Sequence, residues 1–269
     1  MRRALHAMRR VMTKISVITV SFNSAKTIAA TLRSVASQSG VAREHIVVDG
    51  GSTDATMEIV RQHGSHVAHA VSEPDQGIYD AMNKGLAMSS GDLVGFLNSD
   101  DCYIDRAVLS DVAAAYEAST ADFVYGDLEM VNQDGRVVRY WKTGEIPAGG
   151  LTATQIPHPV LFVRRSLLHR ITPAFDPSYR ISADLKQQLI LINKMRATGI
   201  YVRRPLTRMS LGGASTAALS GYFSGWRETA RAYNEIFGRG GWWYTAKKVS
   251  SKIPSLRWTR AAATRTTAP

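Results

Sequence analysis

The sequence alternates short β-branched apolar runs with amphipathic segments, and this alternation constrains the fold more than any other feature. Residues 14–22 (KISVITVSF) and 44–54 (EHIVVDGGSTD) have the pattern of buried strands that end in polar residues. Each is followed by a stretch with apolar side chains at helical spacing, and residues 66–74 and 77–91 repeat the pattern as a weaker strand and a helix. Strands and helices that alternate at this pitch predict an α/β fold built from βαβ units, with a mostly parallel central sheet and helices on both faces.

The second half of the chain predicts more strand and less helix. Residues 121–141 have the pattern of two strands around a QDGR hairpin turn, and residues 158–165 that of a further strand. Residues 182–199 place apolar side chains on one helical face. Residues 201–216 run from a strand into the glycine-rich sequence SLGGAST. That sequence is either an ordinary turn or a loop that closes over a ligand, since glycines permit a hinge.

Charge separates the two ends of the chain from its centre. Of the net charge of +11, residues 1–14 contribute +5 and residues 239–269 contribute +7, which leaves −1 for residues 15–238. A nucleic-acid-binding domain carries its charge on the folded surface, so the neutral centre argues against a nucleic-acid partner. Basic ends, the second of which also carries Trp and Tyr, favour contact with an anionic membrane. Solvated tails, or aromatic residues packed on the domain, are the simpler alternatives.

These patterns predict a basic N-terminal arm (1–13), an α/β domain (14–216) and a helical, basic and aromatic C-terminal extension (217–269). The single cysteine, Cys102, excludes an intramolecular disulfide and fits a reducing compartment. No apolar run approaches the roughly 18–20 residues that span a bilayer. The twin arginine near the N-terminus is not followed by the apolar region of an export signal.

Carboxylates stand where two predicted strands end. Asp49 ends the second strand, and Asp100 and Asp101 follow the apolar run VGFL. Ligands bind beyond the carboxyl ends of the strands in such sheets, so a ligand is expected beside these side chains. Asp100 and Asp101 can hold a hard divalent cation, which would neutralise a diphosphate leaving group. Asp49 is suited to accept N–H groups of a base such as uracil or guanine, and Asp184, at a helix start, to act as a general base.

Four segments in order resemble the family 2 glycosyltransferases of the GT-A (Rossmann-like) fold. They are ISVITVSFNSAKTIAATLRSVASQ, VVDGGSTDAT, DQGIYDAMNKGLAMSSGDLVGFLNSDD and RISADLKQQL, and together they cover roughly residues 14–215. The likeness is strongest to bacterial enzymes of O-antigen, exopolysaccharide and glycolipid assembly. It implies a metal-dependent (Mn²⁺ or Mg²⁺), inverting transfer of one hexosyl or deoxyhexosyl unit from a nucleotide-diphosphate sugar. The implied acceptor is a lipid-linked saccharide or glycolipid, at the cytoplasmic face of the cell membrane.

The same resemblance implies roles for individual residues. Asp184 matches the catalytic base, His158 a position beside the acceptor cleft, and Asp100 with Asp101 the metal-binding motif. The positions that match the donor-binding side of the family are Asp49, Ser52, Asp54, Asp80, Asn83, Lys84, Asn98, Asp100 and Asp101.

Two departures from the family pattern affect these expectations. Asn98 stands where many relatives carry a further aspartate, which predicts a weaker metal site or ligation through Asp101 alone. The Gln-x-x-Arg-Trp motif of processive synthases is also missing, because Pro254 precedes SLRW (255–258) where the glutamine is expected. We therefore expect one sugar per acceptor rather than a polymer.

Simpler interpretations remain open for most of these residues. They are a turn residue for Asp49, a helix N-cap for Asp100, a helix-start residue for Asp184, a semi-buried histidine for His158, and a surface salt bridge for Asp80 and Lys84. Two other functions are also alternatives: a catalytically inactive nucleotide-sugar-binding protein and a sugar nucleotidyltransferase. The second usually opens with a glycine-rich phosphate loop, and VSFNSAKT has no such glycines.

Overall fold

The computed structural model describes residues 12–132, 134–152, 155–211 and 219–250. The elements of the first half are β1 (Lys14–Ser21), α1 (Ile28–Ala36), β2 (Ala42–Asp49), α2 (Thr56–His63), β3 (Val67–Ser72), α3 (Ile78–Met88), β4 (Leu93–Phe96), β5 (Cys102–Tyr103) and α4 (Val108–Glu117). Those of the second half are β6 (Phe123–Val131), β7 (Val137–Trp141), a 3-10 turn (His158–Val160), β8 (Leu161–Arg164), α5 (Arg165–Leu168), α6 (Ala183–Gln188), a π-helical turn (Leu189–Lys194), β9 (Gly199–Ser210), α7 (Leu219–Phe237) and α8 (Gly241–Ser250).

One twisted sheet runs through the described part of the chain in the order β3-β2-β1-β4-β8-β6-β9-β5, with β7 paired to β6. The prediction of a mostly parallel sheet holds only for β1 to β4. Beyond β4, strand β8 enters antiparallel to both β4 and β6, and β5 and β7 also pair antiparallel. In this part of the described sheet, β6 and β9 form the only parallel pair. The sheet is therefore mixed, because hairpins rather than βαβ crossovers connect part of the second half.

Helices cover both faces of the parallel part, as the sequence predicts. On one face, Val47 of β2 packs with Ile28 and Leu32 of α1 and Val60 of α2. The neighbouring side chains of β2 point the other way, into the main core that also contains α3. Helix α3 approaches that face closely at Gly85, where an added Cβ would lie 2.4 Å from a methyl carbon of Ile18.

The register of the parallel strands aligns their carboxyl ends. Asp49 pairs with Ser21 of β1 on one side and with Ser72 of β3 on the other. Strand β4 ends beside β1, since the amides of Leu97 and Ser99 donate to the carbonyls of Ile18 and Val20. The polar residues after β2 and after β4 therefore lie along one edge of the sheet.

The structure differs from the prediction at three elements. The helix expected over 182–199 is α-helical only to Gln188 and continues as a π-helical turn. The strand expected over 158–165 begins as a 3-10 turn, and the strand proper is β8. The two-residue strand β5 has no counterpart in the sequence pattern, because so short a strand has no periodicity to read.

The part of the predicted C-terminal extension that the structure describes forms two helices. Helices α7 and α8 pack on each other through stacked Tyr233 and Tyr244, whose ring centroids lie 4.7 Å apart. Residues 1–11 of the predicted arm, residues 212–216 of the glycine-rich loop and the SLRW segment lie outside the described residues.

Candidate active site

Asp49 is buried at the end of β2 and is fully hydrogen-bonded. Its Oδ1 accepts the hydroxyls of Ser21 and Ser52, and its Oδ2 accepts the Ser72 hydroxyl at 2.7 Å and the Ser52 amide at 2.8 Å. Burial opposes the charge, but these hydrogen bonds lower the pKa of Asp49 overall. A carboxylate has about four acceptor positions, and all are occupied here. Asp49 therefore organises the turn, and its role in reading a base stays a prediction.

Ser52 and Asp54 connect the loop after β2 to the loop after β1. The Ser52 hydroxyl accepts the Asn23 amide at 2.7 Å, and Asp54 accepts the Ala25 amide at 3.1 Å. In return the Asn23 side chain accepts the Thr53 amide at 3.0 Å. Asn23 itself adopts a left-handed backbone conformation with φ of 48°, which asparagine tolerates better than most residues. These contacts join the loop after β1 to the loop after β2 at the same edge of the sheet.

The residues after β4 differ sharply in exposure. Asp101 is completely buried and neither of its carboxylate oxygens has a hydrogen-bond partner among the described residues. Burial, and next the charge of Asp100, raise the pKa of Asp101 well above its usual range. Asp100 is half-buried, and burial raises the pKa of Asp100 too. The side-chain oxygen of Asn98 is also buried without a partner in the described part of the chain.

Asp100 is not a helix N-cap, since α4 begins at Val108 and the two residues after Asp101 form β5. A buried carboxylate without donors is costly unless a cation compensates it. Asp101, with Asp100 beside it, therefore fits a hard divalent cation. Across the described residues, no three acidic, histidine or cysteine side chains converge as a complete metal site. Mg²⁺ and similar ions commonly use one or two carboxylates together with substrate phosphates and water.

Asp184 lies in the first turn of α6 and has two side-chain neighbours. The Gln155 amide donates to its Oδ2 at 2.6 Å, and the Tyr79 hydroxyl lies 3.5 Å from its Oδ1. Asp184 is half-buried, so it is partly accessible to solvent. Neither Gln155 nor Tyr79 carries a sequence signal for this role, since they lie 29 and 105 residues away along the chain.

His158 lies against an aromatic group close to Asp184. Its ring centroid is 5.3 Å from that of Phe96 and 5.9 Å from that of Phe175. Its Nε2 atom is buried without a partner among the described residues. Burial lowers the pKa of His158, and the charge of Asp184 opposes this shift. Both interpretations, acceptor-side residue and semi-buried histidine, agree with this placement.

The three predicted donor-side residues of α3 are engaged within the protein. Lys84 lies 2.9 Å from Glu73 and 3.4 Å from Asp80, so the salt bridge expected between Asp80 and Lys84 is present. Asp80 also accepts the Gln76 amide at 3.1 Å. Asn83 makes a reciprocal pair with the backbone of Phe175, at 2.6 and 3.0 Å. These contacts hold the loops around the site, and the donor-binding roles of these residues stay predictions.

A cavity of about 550 Å³ opens between residues 76–79 and residues 177–180. Tyr79 lines this cavity, and its hydroxyl lies 3.5 Å from Oδ1 of Asp184, so Tyr79 links the cavity to the predicted base. Residues 180–182, which lead into α6, donate three consecutive backbone amides to the carboxylate of Glu228 in α7, each at 2.9 Å. The described extension thus holds the start of the helix that carries Asp184, a contact with no signal in the sequence.

Comparison with known proteins agrees with this architecture. The family model of Glycosyl transferase family 2 matches residues 16–170. An uncharacterized glycosyltransferase of Mycobacterium tuberculosis is 35% identical over 207 residues, which cover 75% of this chain and 77% of that protein. The chain therefore belongs to glycosyl transferase family 2. A PGL/p-HBAD biosynthesis glycosyltransferase of the same species is 34% identical over 173 residues, which cover 63% of this chain and 66% of that relative.

Solved structures share the fold at low sequence identity. TarS (residues 1–349) of S. aureus in complex with UDP-GlcNAc has a TM-score of 0.61 and 22% identity, over 82% of this chain and 66% of that chain. The mannosyltransferase PcManGT of Pyrobaculum calidifontis, in complex with GDP-Man and Mn²⁺, has a TM-score of 0.64 and 17% identity, over 95% and 81% of the two chains. The predictions of a family 2 glycosyltransferase and of a GT-A fold are confirmed. Across the described residues, every helix is too short or too polar to cross a bilayer.

Proposed function

We propose that this protein transfers one sugar, with inversion, from a nucleotide-diphosphate sugar to a hydroxyl of a lipid-linked saccharide or glycolipid. The observation that carries the proposal is the buried, unpartnered carboxylate of Asp101 beside Asp100, at the sheet edge that also bears the β1 and β2 loops. Asp100 and Asp101 would hold Mn²⁺ or Mg²⁺. When bound, the ion would neutralise charge on the departing nucleoside diphosphate. The Mn²⁺ and GDP-Man bound to PcManGT support this assignment.

Asp184 acts as the general base in this proposal. Its carboxylate takes the proton of the acceptor hydroxyl while the acceptor oxygen forms a bond to the anomeric carbon. The bond from that carbon to the diphosphate oxygen breaks on the opposite side, and the nucleoside diphosphate leaves with the electron pair. Gln155 and Tyr79 orient the carboxylate through their contacts with its two oxygens. The cavity beside Tyr79 is the space we assign to the acceptor sugar.

The test compares donor binding and turnover in matched variants. The purified protein with Mn²⁺ is given UDP-, GDP- and dTDP-sugars, and nucleotide release is measured with and without extracts that contain lipid-linked saccharides. We expect Asp101→Ala to lose metal-dependent donor binding. We expect Asp184→Asn to keep donor binding and to lose about 10²- to 10⁴-fold in transfer. Asp134→Asn, in the exposed turn between β6 and β7, is the control. Equal turnover in the wild type and both site variants would refute the assignment.

We further propose that α7 and α8 dock on an anionic membrane, at the inner face of the cell membrane. Phe223, Trp242 and Trp243 are each more than 60% exposed. An apolar cavity of about 370 Å³ lies between Trp226 and Trp242. Large aromatic side chains are enriched at membrane interfaces, and basic residues are attracted to anionic lipid.

The charges of these helices support the same docking. Residues 219–250 carry five Arg and Lys residues but only two acids, Glu228 and Glu235. Both acids have partners, Glu228 in backbone amides and the exposed Glu235 in Lys186 and Arg231. The net charge of these residues is therefore +3.

Vesicle flotation tests this docking. We expect binding to vesicles that contain phosphatidylglycerol and little binding to pure phosphatidylcholine. Trp242→Ser with Trp243→Ser is expected to reduce the bound fraction, while Val137→Ser with Val138→Ser, on the exposed strand β7, leaves it unchanged. Equal binding of both double variants would count against this surface.

A further inference from the structure

The cavity of about 370 Å³ between α7 and α8 has a lining of mostly apolar side chains. The residues that line it are Trp226 of α7 and Trp242, Thr245, Ala246, Val249 and Ser250 of α8. Residues 242, 245, 246 and 249 share one helical face and extend along roughly 10 Å of α8. The cavity can therefore take an extended ligand that lies along this helix.

The two hydroxyl groups in this lining are already used within α8. The Thr245 hydroxyl donates to the Gly241 carbonyl at 2.8 Å, and the Ser250 hydroxyl donates to the Lys247 carbonyl at 3.0 Å. A polar ligand would lose its water here and find few hydrogen-bond partners in exchange. A hydrocarbon chain, in contrast, gains free energy from every carbon that it buries. The lining therefore favours a hydrocarbon chain.

The cavity adjoins the start of the helix that carries the proposed base. The carbonyl of Gly225, the residue before Trp226, accepts the Ser182 hydroxyl at 3.3 Å. A Cβ atom added to Gly225 would lie 3.6 Å from a methyl carbon of Ile181. Asp184 follows Ser182 by two residues, in the first turn of α6. A ligand held beside Trp226 is therefore held close to the start of α6.

Exposed basic residues follow two of the lining residues along the chain. Arg227 follows Trp226, Lys247 follows Ala246, and both basic residues are exposed. The Lys247 ammonium also lies 5.6 Å from the ring centroid of Trp243. Basic residues beside an apolar surface attract lipids that carry an anionic head. The charge therefore complements a hydrocarbon chain that ends in a phosphate.

We propose that this cavity binds the hydrocarbon chain of the acceptor, a single-chain lipid whose phosphate lies beside Arg227 and Lys247. The volume is at the lower end of the roughly 300–1,000 Å³ of small-ligand pockets, which suits one chain. The contacts of α7 with the start of α6 place the saccharide end of such a lipid on the side of Asp184. This inference rests on the proposed transfer to a lipid-linked acceptor. It adds to the docking of α7 and α8 a separate site for the acceptor chain.

The probe is farnesyl phosphate, which has one isoprenoid chain and a phosphate head, titrated without metal and below its micelle-forming concentration. Intrinsic fluorescence reports binding, because Trp226 and Trp242 line the cavity. We expect saturable binding by the wild type, weaker binding of farnesol and no saturable change with inorganic phosphate. Ala246→Phe, which fills the cavity with an apolar side chain, is expected to weaken farnesyl phosphate about tenfold or more. Ala114→Phe, at an exposed alanine of α4, is the matched control, and thermal melting checks that both variants are folded.

Two further measurements on Ala246→Phe separate this site from membrane docking and from the donor site. We expect wild-type binding to vesicles, since Trp242 and Trp243 stay in place, and wild-type affinity for nucleotide with Mn²⁺. In the wild type, farnesyl phosphate should also inhibit transfer to the lipid-linked saccharides of an extract, and Ala246→Phe should need about tenfold more of it.

Equal affinity of Ala246→Phe and Ala114→Phe for farnesyl phosphate overturns the chain site and leaves the transferase proposal standing. Binding without inhibition of transfer also overturns it, because the cavity would then be a general lipid anchor. A wild-type protein that binds farnesyl phosphate but neither binds nor turns over any nucleotide sugar overturns the proposed function, and with it the assignment of the chain to an acceptor.

Discussion

Removal of the Glu228 carboxylate tests whether the C-terminal helices support the active site. This carboxylate accepts the backbone amides of Arg180, Ile181 and Ser182, each at 2.9 Å. Asp184 follows two residues later in the first turn of α6. A negative charge at this point also favours the start of a helix. Glu228 therefore satisfies three amides that α6 and its preceding turn leave without partners.

The expected loss follows from those three contacts. A hydrogen bond to a charged group contributes roughly 1.5–3 kcal/mol, but contacts made by one side chain are not additive. We expect Glu228→Ala to lower the free energy of unfolding by about 3 kcal/mol, which corresponds to a fall in Tm of roughly 6–12 °C for a chain of this size. Glu228→Gln keeps one carbonyl acceptor and is expected to lose about half as much.

The assay measures thermal melting together with kcat and donor KM. Because the turn before Asp184 loses its anchor, we expect kcat to fall about tenfold or more in Glu228→Ala while donor KM changes little. Glu228→Gln is expected to recover part of both losses. Glu58→Ala, which removes an exposed glutamate on α2, is the matched control. If Glu228→Ala melts and turns over like Glu58→Ala, the proposed support of α6 by α7 is wrong.

Three further predictions concern packing, pH and the base. Gly85→Val should lower the free energy of unfolding by about 1–3 kcal/mol or more in chemical denaturation, because its Cβ would lie 2.4 Å from Ile18. Burial lowers the pKa of His45 to about 3. Between about pH 6.5 and 3 the unfolded chain therefore binds one proton more than the folded chain. The free energy of unfolding should fall as pH falls through that window, by up to about 1.4 kcal/mol per pH unit. Urea melts of the wild type and of His45→Gln would show whether His45 causes this slope. Gln155→Leu should reduce kcat about tenfold and shift its pH profile while donor KM stays unchanged, since the Gln155 amide donates to the Asp184 carboxylate. An unchanged pH profile would contradict its positioning role.

Much of the first half of the fold was predictable because its signals are local. The strands β1 and β2 and the helices α1 and α3 follow from apolar periodicity within single segments. The carboxylates after β2 and β4 were expected at the carboxyl ends of the strands, and the register places both ends along one edge. The hairpin between β6 and β7 was likewise expected from its turn residues.

The direction of β8 was not predictable. Its backbone pairs antiparallel with β4 and with β6, so it turns the parallel sheet into a mixed one. Periodicity shows that a segment is a strand, but not which neighbours it joins. The assignment of β5 fails for a related reason, because its two residues are defined only by their pairing with β9.

The sequence by itself determined the class of fold, the family and the placement of acidic residues at the strand ends, because these depend on patterns within short segments. Only the tertiary structure decided which of those acids has a free oxygen. Asp49 accepts hydroxyls from serines of two other strands, while neither carboxylate oxygen of Asp101 has a hydrogen-bond partner among the described residues. It also decided that Glu228 holds the turn before Asp184. The physical reason is that a carboxylate's role depends on the donors around it, and here those donors come from segments far apart in the chain.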